Sequence, residues 1–442
     1  MIKRIQFYFV SSGMRSCYCF LFIILFHITP AFSQRDFVSV KGHQFFINNN
    51  PYSFFGVNMW YAGMLAQNEK GKQRLIRELN FLKDQGVTNI RVLARAEGMG
   101  IINGRYRVEP ALQPAKESIN GNLLNAFDFF LAEAGKRNIR VVIYLSNNWE
   151  WSGGFLQYLN WNGKLSDERM RNTMEWEQMR DDISMFYGCD GCKKMYFDAV
   201  RQFVSRINSI TGIPYKSDPS IMAWEIANEP RPMRPQAISA FKAFIHDAAQ
   251  LIKLIDKNHL LTIGSEGVTG SENMETYVSV HADSLIDYAT LHIWPKNWQW
   301  FSDTSISISM PVVKAKSLAY LAQHDSIMKK LNKPLVLEEF GMPRDGENLS
   351  VHSTYAHRLN YFEFIAESIF LKHAFPRICG ANFWAMGGEA VPGSSSSFWH
   401  PGDPFTGDPP FEPQGLNSVF VSDKAIWNMV KAINDTLKNK SN

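Results

Sequence analysis

The stretch GNLLNAFDFFLAEAGKRNIRVVIYL, residues 121–145, carries the pattern of the whole chain. Its first part reads as a helix and IRVVIYL (139–145) as a strand. The strand is an almost unbroken apolar run, as expected when both faces of a parallel sheet are covered. The same alternation extends in both directions. Upstream lie the strands YSFFGVN (52–58) and TNIRVLA (88–94), separated by the helix EKGKQRLIRELNFLKDQG (69–86), which ends on Gly86 as a C-cap. Downstream lie IMAWEIANE (221–229), LLTIG (260–264), IDYATLHIW (286–294), PLVLEEFG (334–341) and ICGANFWAM (378–386), each followed by a helix or helix-like segment. Eight such units predict an α/β chain folded as a (β/α)8 TIM barrel, a single catalytic domain over residues 34–442. An open doubly wound sheet is the alternative. Its phosphate turn is missing, because GVNMWYAG (56–63) lacks the G-x-G-x-x-G spacing. FVSVKGHQFFINN (37–49) reads as a hairpin across the barrel bottom.

Residues 1–33 read as a secretory signal. Lys3, Arg4 and Arg15 precede or border the apolar run CYCFLFIILF, and Ala31 and Ser33 form a small-residue cleavage site. The run is short for a membrane span. Cleavage near Ser33 makes the protein secreted or periplasmic, with no membrane attachment in the mature form. It also removes three of the basic residues behind the net charge of +4. The nearly neutral remainder offers no nucleic-acid surface. In an exported chain Cys189 and Cys192 of CDGC read as a local disulfide, since a zinc site would need a second ligand pair. Cys379 lies in an apolar strand and reads as a buried thiol. Nothing in the sequence points to a metal or an organic cofactor.

Barrel enzymes work at the C-terminal ends of their strands. The polar residues standing there are Arg91, Asn147, Asn148, Asn228, Glu229, His292, Trp294, Glu339 and Trp384. Glu229 and Glu339, on strands four and seven, would face each other across the barrel mouth. Two carboxylates so placed are what glycoside hydrolysis needs: an acid to protonate the leaving oxygen and, in the retaining version, a nucleophile. Arg91 and His292 are suitable neighbours for an ionised carboxylate. Trp60, Trp149, Trp151, Trp294, Trp298, Trp300 and Trp384 all fall at or just after strand ends, where their indoles could pack on the C–H faces of sugars.

WEIANEPRP (Trp224–Pro232) resembles the acid/base motif of glycoside hydrolase family 5, and VLEEFG (Val336–Gly341) resembles its nucleophile strand. More narrowly, GVNMW, NIRVLA, SNNWEWSGG, DPSIMAWEIANEPRP, LHIWPKNW, VLEEFGMPRD and FWAMGGE are similar, in order, to pieces of that family's endo-β-1,4-mannanases. The resemblance implies that Glu229 is the acid/base and Glu339 the nucleophile, with Glu338 turned to the other face of its strand. It implies that Asn228 binds the 2-hydroxyl of the sugar being cleaved and that Arg91 and His292 line the nucleophile's side. Trp384 would be the stacking floor, and Arg231 would touch a sugar on the leaving-group side. Trp60, Asn148 and Trp149 join the expected substrate-binding set. One position departs from the family: Trp294 stands where a nucleophile-bonding tyrosine is usual, and its indole N–H could donate instead. The implied substrate is a β-mannan, galactomannan or glucomannan. An endo-β-1,4-glucanase, an exo-acting β-mannosidase or a non-catalytic glycan-binding protein are the alternatives.

Overall fold

The computed structural model describes residues 37–302, 305–393 and 396–441. The expected signal segment, with its cleavage site at Ser33, lies outside these residues. Eight parallel strands form one sheet: β1 (Phe54–Asn58), β2 (Asn89–Leu93), β3 (Arg140–Tyr144), β4 (Ile221–Glu225), β5 (Leu260–Thr262), β6 (Ala289–Ile293), β7 (Leu335–Phe340) and β8 (Ile378–Phe383). Their order, β5-β4-β3-β2-β1-β8-β7-β6, leaves β5 and β6 to close the ring. They do so through Asp287 N, which donates to Leu261 O at 2.9 Å, and His292 N, which donates to Glu266 O at 3.0 Å. The (β/α)8 barrel is therefore the fold of this chain.

The expected helices follow their strands, including Glu69–Asp84, Gly121–Gly135, Ile238–Ile255 and Ile306–Leu331. Each buries an apolar stripe on the sheet. In Gly121–Gly135 the buried residues include Leu123, Ala126, Phe127, Phe130, Leu131 and Ala134, the i, i+3, i+4 set of one helix face. The N-terminal strands Ser39–Lys41, Gln44–Ile47 and Asn50–Tyr52 form a small antiparallel sheet. Val38, Phe45 and Tyr52 pack there with Phe54, Met222, Leu260, Val336 and the buried thiol of Cys379, residues at the N-terminal ends of barrel strands. This sheet plugs the bottom of the barrel and leaves the top for the site.

The connection from β3 to its helix is the longest insertion. It holds Gly154–Trp161, Asp167–Arg171 and Trp176–Ser184 before the helix Asp190–Val204. Cys189 and Cys192 are joined in a disulfide at the start of that helix.

Candidate active site

Strand β4 ends with its polar residues aimed up the barrel axis. Glu229 has φ of 48°. That left-handed conformation costs a residue with a Cβ on the order of 1–3 kcal/mol and persists where the surroundings fix it. Here the fixing bond runs from Glu229 N to Gly264 O, at 2.8 Å. Gly264 is itself forced: its φ is 83°, and a Cβ there would lie 2.1 Å from Ala227 O and from Glu225 Oε1. The two loop ends thus lock together and present the Glu229 carboxyl to the pocket.

Glu229 Oε1 lies 2.6 Å from His292 Nδ1, and its Oε2 accepts from Trp149 Nε1 at 2.6 Å. Glu339 Oε1 accepts from Arg91 Nη1 at 2.5 Å, and its Oε2 accepts from Trp294 Nε1 at 3.2 Å. The indole thus occupies the donor role that its position called for. Gly341 makes room for it, because a Cβ there would meet Trp294 Cζ3 at 2.6 Å. One ligand atom each of Glu229, His292 and Glu339 lie within 4.8 Å of one another.

Arg91 is fully buried and serves as a strut beneath the Glu339 carboxylate and the Asn228 amide. It donates to Glu225 through two nitrogens, at 2.8 and 2.6 Å, and to Asn58 Oδ1 at 3.1 Å and Asn228 Oδ1 at 2.7 Å, as well as to Glu339. Asn228 in turn donates to Asn147 Oδ1 at 3.1 Å. Glu225, the last residue of β4, is part of this buried network although its strand-end position did not single it out.

Glu338 corrects one expectation. Strict alternation would turn it away from Glu339, but the β6–β7 ladder pairs Leu291 with Leu337 and His292 with Glu339, leaving Glu338 as the extra residue of a bulge. Its Oε2 lies 3.6 Å from Arg91 Nε and 3.7 Å from His292 Nε2, so both glutamates face the barrel interior. Burial and the neighbouring charge of Glu225 push Glu338 well above the usual carboxylate range.

The pair titrates as a unit. Burial pushes Glu229 up, but the hydrogen bonds from His292 and Trp149 and the charge of Arg231 outweigh it and hold Glu229 below the usual carboxylate range. Burial pushes Glu339 up to about 8, with Arg91 opposing and the charge of Glu229 adding. Near neutrality the two carboxyls therefore carry one proton between them. Burial lowers His292 to about 4, so its ring is neutral and can donate to a carboxylate or accept from a carboxylic acid.

A pocket of about 430 Å³ opens over this pair. Its wall includes the expected Trp149, Asn228, Arg231, Trp294 and Trp384, together with Trp151 and Trp298. Trp384 is nearly buried, packs edge-on against Trp294 at 5.9 Å and keeps an indole N–H without an acceptor among the described residues. The Arg231 guanidinium stacks 4.8 Å from the Trp149 ring and pairs with Glu266. Burial pushes Glu266 up to about 8, against the charge of Arg231. Arg91 and His292 lie under the pocket rather than in its wall.

Two further expected substrate contacts also lie outside the pocket wall. Trp60 is fully buried; its indole donates to Gly407 O at 3.1 Å and packs on Trp151 and Phe405, so it supports the floor from below. Asn148 is buried in the loop after β3, with its N donating to Asn228 O at 3.0 Å and its Oδ1 accepting from Arg231 N at 3.4 Å. Both stood at strand ends, where order along the chain does not separate the rim from the layer below it. Sequence reasoning missed Trp176, Glu266, Phe411 and Glu412, which also line the pocket. Trp176 opens a short helix inside the β3 insertion, and the other three come from loops with no periodic pattern to point at them.

Residues 35–442 match the family described as "GH family 5 beta-mannosidase-like". The chain belongs to this glycoside hydrolase family. Among curated relatives, the hydrolase is 29% identical over 325 residues to "Mannan endo-1,4-beta-mannosidase 7" of Arabidopsis thaliana, covering 71% of this chain and 70% of that one. Among solved structures it resembles the glycoside hydrolase family 5 mannosidase from Rhizomucor miehei, at 27% identity and a TM-score of 0.83, covering 92% of this chain and 99% of that one. The endo-1,4-β-mannanase from the same fungus shares the fold, at 22% identity and a TM-score of 0.64, covering 91% of this chain and 99% of that one.

Proposed function

We propose that the hydrolase cleaves β-1,4-mannosidic linkages of mannan, galactomannan or glucomannan with retention of configuration, outside the cytoplasm. The observation that carries the reading is the Glu229–His292–Glu339 cluster, with one oxygen of each carboxyl inside the same 4.8 Å group. Retaining enzymes hold their carboxyls roughly 5–5.5 Å apart, whereas inverting ones need about 6.5–9.5 Å to admit a water.

In the first step Glu339 attacks the anomeric carbon as Glu229 gives its proton to the departing glycosidic oxygen. For this the shared proton must sit on Glu229. A glycosidic oxygen beside Glu229 offers it an acceptor, while Arg91 and Trp294 already donate to the Glu339 anion. His292 Nδ1, 2.6 Å from Glu229 and 3.4 Å from Glu339, can hydrogen-bond to either protonation state of its neighbour. In the second step Glu229 takes a proton from water, the water oxygen bonds to the anomeric carbon, and the Glu339 carboxylate leaves.

The mannan preference rests on the named relatives and on the family resemblance, which assigns the 2-hydroxyl to Asn228, a residue that lines the pocket. Exo-action at a chain end is the second reading. It is favoured by the likeness to the Rhizomucor miehei mannosidase, and Phe411 and Glu412 are the pocket-lining residues that could bound such a site. Product analysis on mannan, glucomannan and cellulose oligomers tests both. Internal cleavage gives a ladder of products and exo-action gives mannose alone. Equal rates on cellulose and mannan would sink the mannoside assignment.

Export rests on the signal-like residues 1–33. Among the described residues no helix is long and apolar enough to cross a membrane.

A further inference from the structure

Trp176 is a large aromatic residue left 45% exposed, yet it lines the pocket beside Glu229. Its ring centroid lies 6.2 Å from that of Trp149, with the planes tilted by 31°. Trp149 is the residue whose N–H bonds the Glu229 carboxyl. The pair therefore stands on the acid's side of the pocket, which is the side of the leaving group.

The support under Trp176 is rigid. It is the first residue of the helix Trp176–Ser184, which opens with a capping box between Glu175 and Gln178. That helix is fastened to the loop that follows the acid. Arg234 donates to Asp181 Oδ1 at 2.6 Å and to Glu177 Oε2 at 2.7 Å, and Arg180 donates to Met233 O at 2.9 Å. Arg169 ties the helix to the preceding one through Asp182, at 2.6 Å. An exposed indole costs apolar hydration and is normally buried. Here several charged contacts hold one in the open, tilted by 31° against a second indole that bonds the Glu229 carboxyl.

We propose that Trp176 is a specificity-determining residue of the leaving-group side: with Trp149 it forms a platform for the apolar face of a pyranose in the departing half of the substrate. The proposal rests on the glycosidase reading above and goes beyond it by naming the leaving group as a sugar and the inserted helix as what recognises it.

The test compares mannotriose, whose departing part is a sugar, with β-mannosyl fluoride, whose departing part is a single atom. Wild type, Trp176→Ala and Trp176→Phe are assayed on both. Trp176→Ala should lower kcat/KM for mannotriose at least fivefold more than for the fluoride, chiefly through KM. Trp176→Phe should recover part of that difference, because a phenyl ring still presents a face. An equal effect of Trp176→Ala on both substrates, or none on mannotriose, would overturn the platform while leaving the hydrolase reading intact. A wild-type enzyme that turns over neither substrate would overturn both. Thermal unfolding of the variants checks that the helix is intact, and a Tm unchanged from wild type makes the kinetic ratio the deciding result.

Discussion

Trp294→Phe isolates the indole hydrogen bond to the nucleophile. Phenylalanine keeps an aromatic ring against Trp384 and above Gly341 but removes the N–H that reaches Glu339 Oε2 at 3.2 Å. A hydrogen bond to a charged acceptor contributes roughly 1.5–3 kcal/mol. The 3.2 Å length places this one at the low end, about 1.5 kcal/mol, or about tenfold in rate. The bond matters most when Glu339 is anionic: before attack, and as it departs from the glycosyl-enzyme. Losing it makes Glu339 a poorer leaving group, so the second step should slow. Steady-state kinetics on an oligomannoside should show kcat lowered about tenfold, with KM unchanged or reduced. Intact-protein mass spectrometry of a quenched reaction should show more glycosyl-enzyme than in wild type. The pH profile should move as well. Removing a donor to the anion raises the upper titration of the pair, so the alkaline limb should shift upward from about 8. A variant with wild-type kcat and an unshifted profile would refute this role for the indole. A rise in KM alone would mean that Trp294 binds sugar and leaves the nucleophile alone.

The two glutamates should fail in different ways. Glu229→Ala should lower kcat on oligosaccharides by about 10²–10⁴, the usual range for a general acid, yet retain turnover of a dinitrophenyl mannoside that needs no protonation; azide should then yield a β-glycosyl azide. Glu339→Ala should be inactive on both substrates, and equal behaviour of the two variants would reverse or void the assignment. In wild type, kcat/KM should fall as pH rises through about 8, because the pair then loses the one proton that Glu229 must deliver; activity persisting well above that pH would refute the shared-proton description. Arg231→Ala removes both the stack on Trp149 and the partner of Glu266, and should weaken turnover of short oligomers more than of long chains, where other sugars hold the substrate; kinetics on mannotriose and soluble mannan read the difference.

The barrel was legible because its strands, covered on both faces, are apolar runs such as RVVIY, and because their helices carry one-sided apolar spacing. Glu229 and Glu339 were legible as pocket residues because they stand at or just past the ends of apolar strands, with Asn, Arg, His and Trp at the other strand ends. What lay beyond reach was anything set by register or by loop folding. The inward turn of Glu338 depends on a bulge opposite His292, which strict alternation cannot anticipate. Trp60 and Trp176 show the same limit from opposite sides. The first follows a strand end yet is sealed beneath the floor, and the second sits in the middle of an insertion yet reaches the pocket. The chain order gives neither distance from the axis nor height above the sheet. Glu266 and Glu412 reach the pocket from loops after β5 and β8, brought there by contacts such as Arg231 with Glu266 and Asn417 with Glu412 at 3.0 Å.

In the proposed mechanism Glu339 attacks the sugar directly, and Glu229 then activates water on the opposite face, the one the leaving group has vacated. Proton NMR during the first minutes of mannotetraose hydrolysis tests it most directly, because the new reducing end is observed before it mutarotates. The β-anomer should appear first and the α-anomer only later, by equilibration. An initial α-anomer would mean inversion, with a water between carboxyls roughly 6.5–9.5 Å apart. That outcome would contradict both the nucleophile assignment and the close cluster of Glu229, His292 and Glu339 on which it stands.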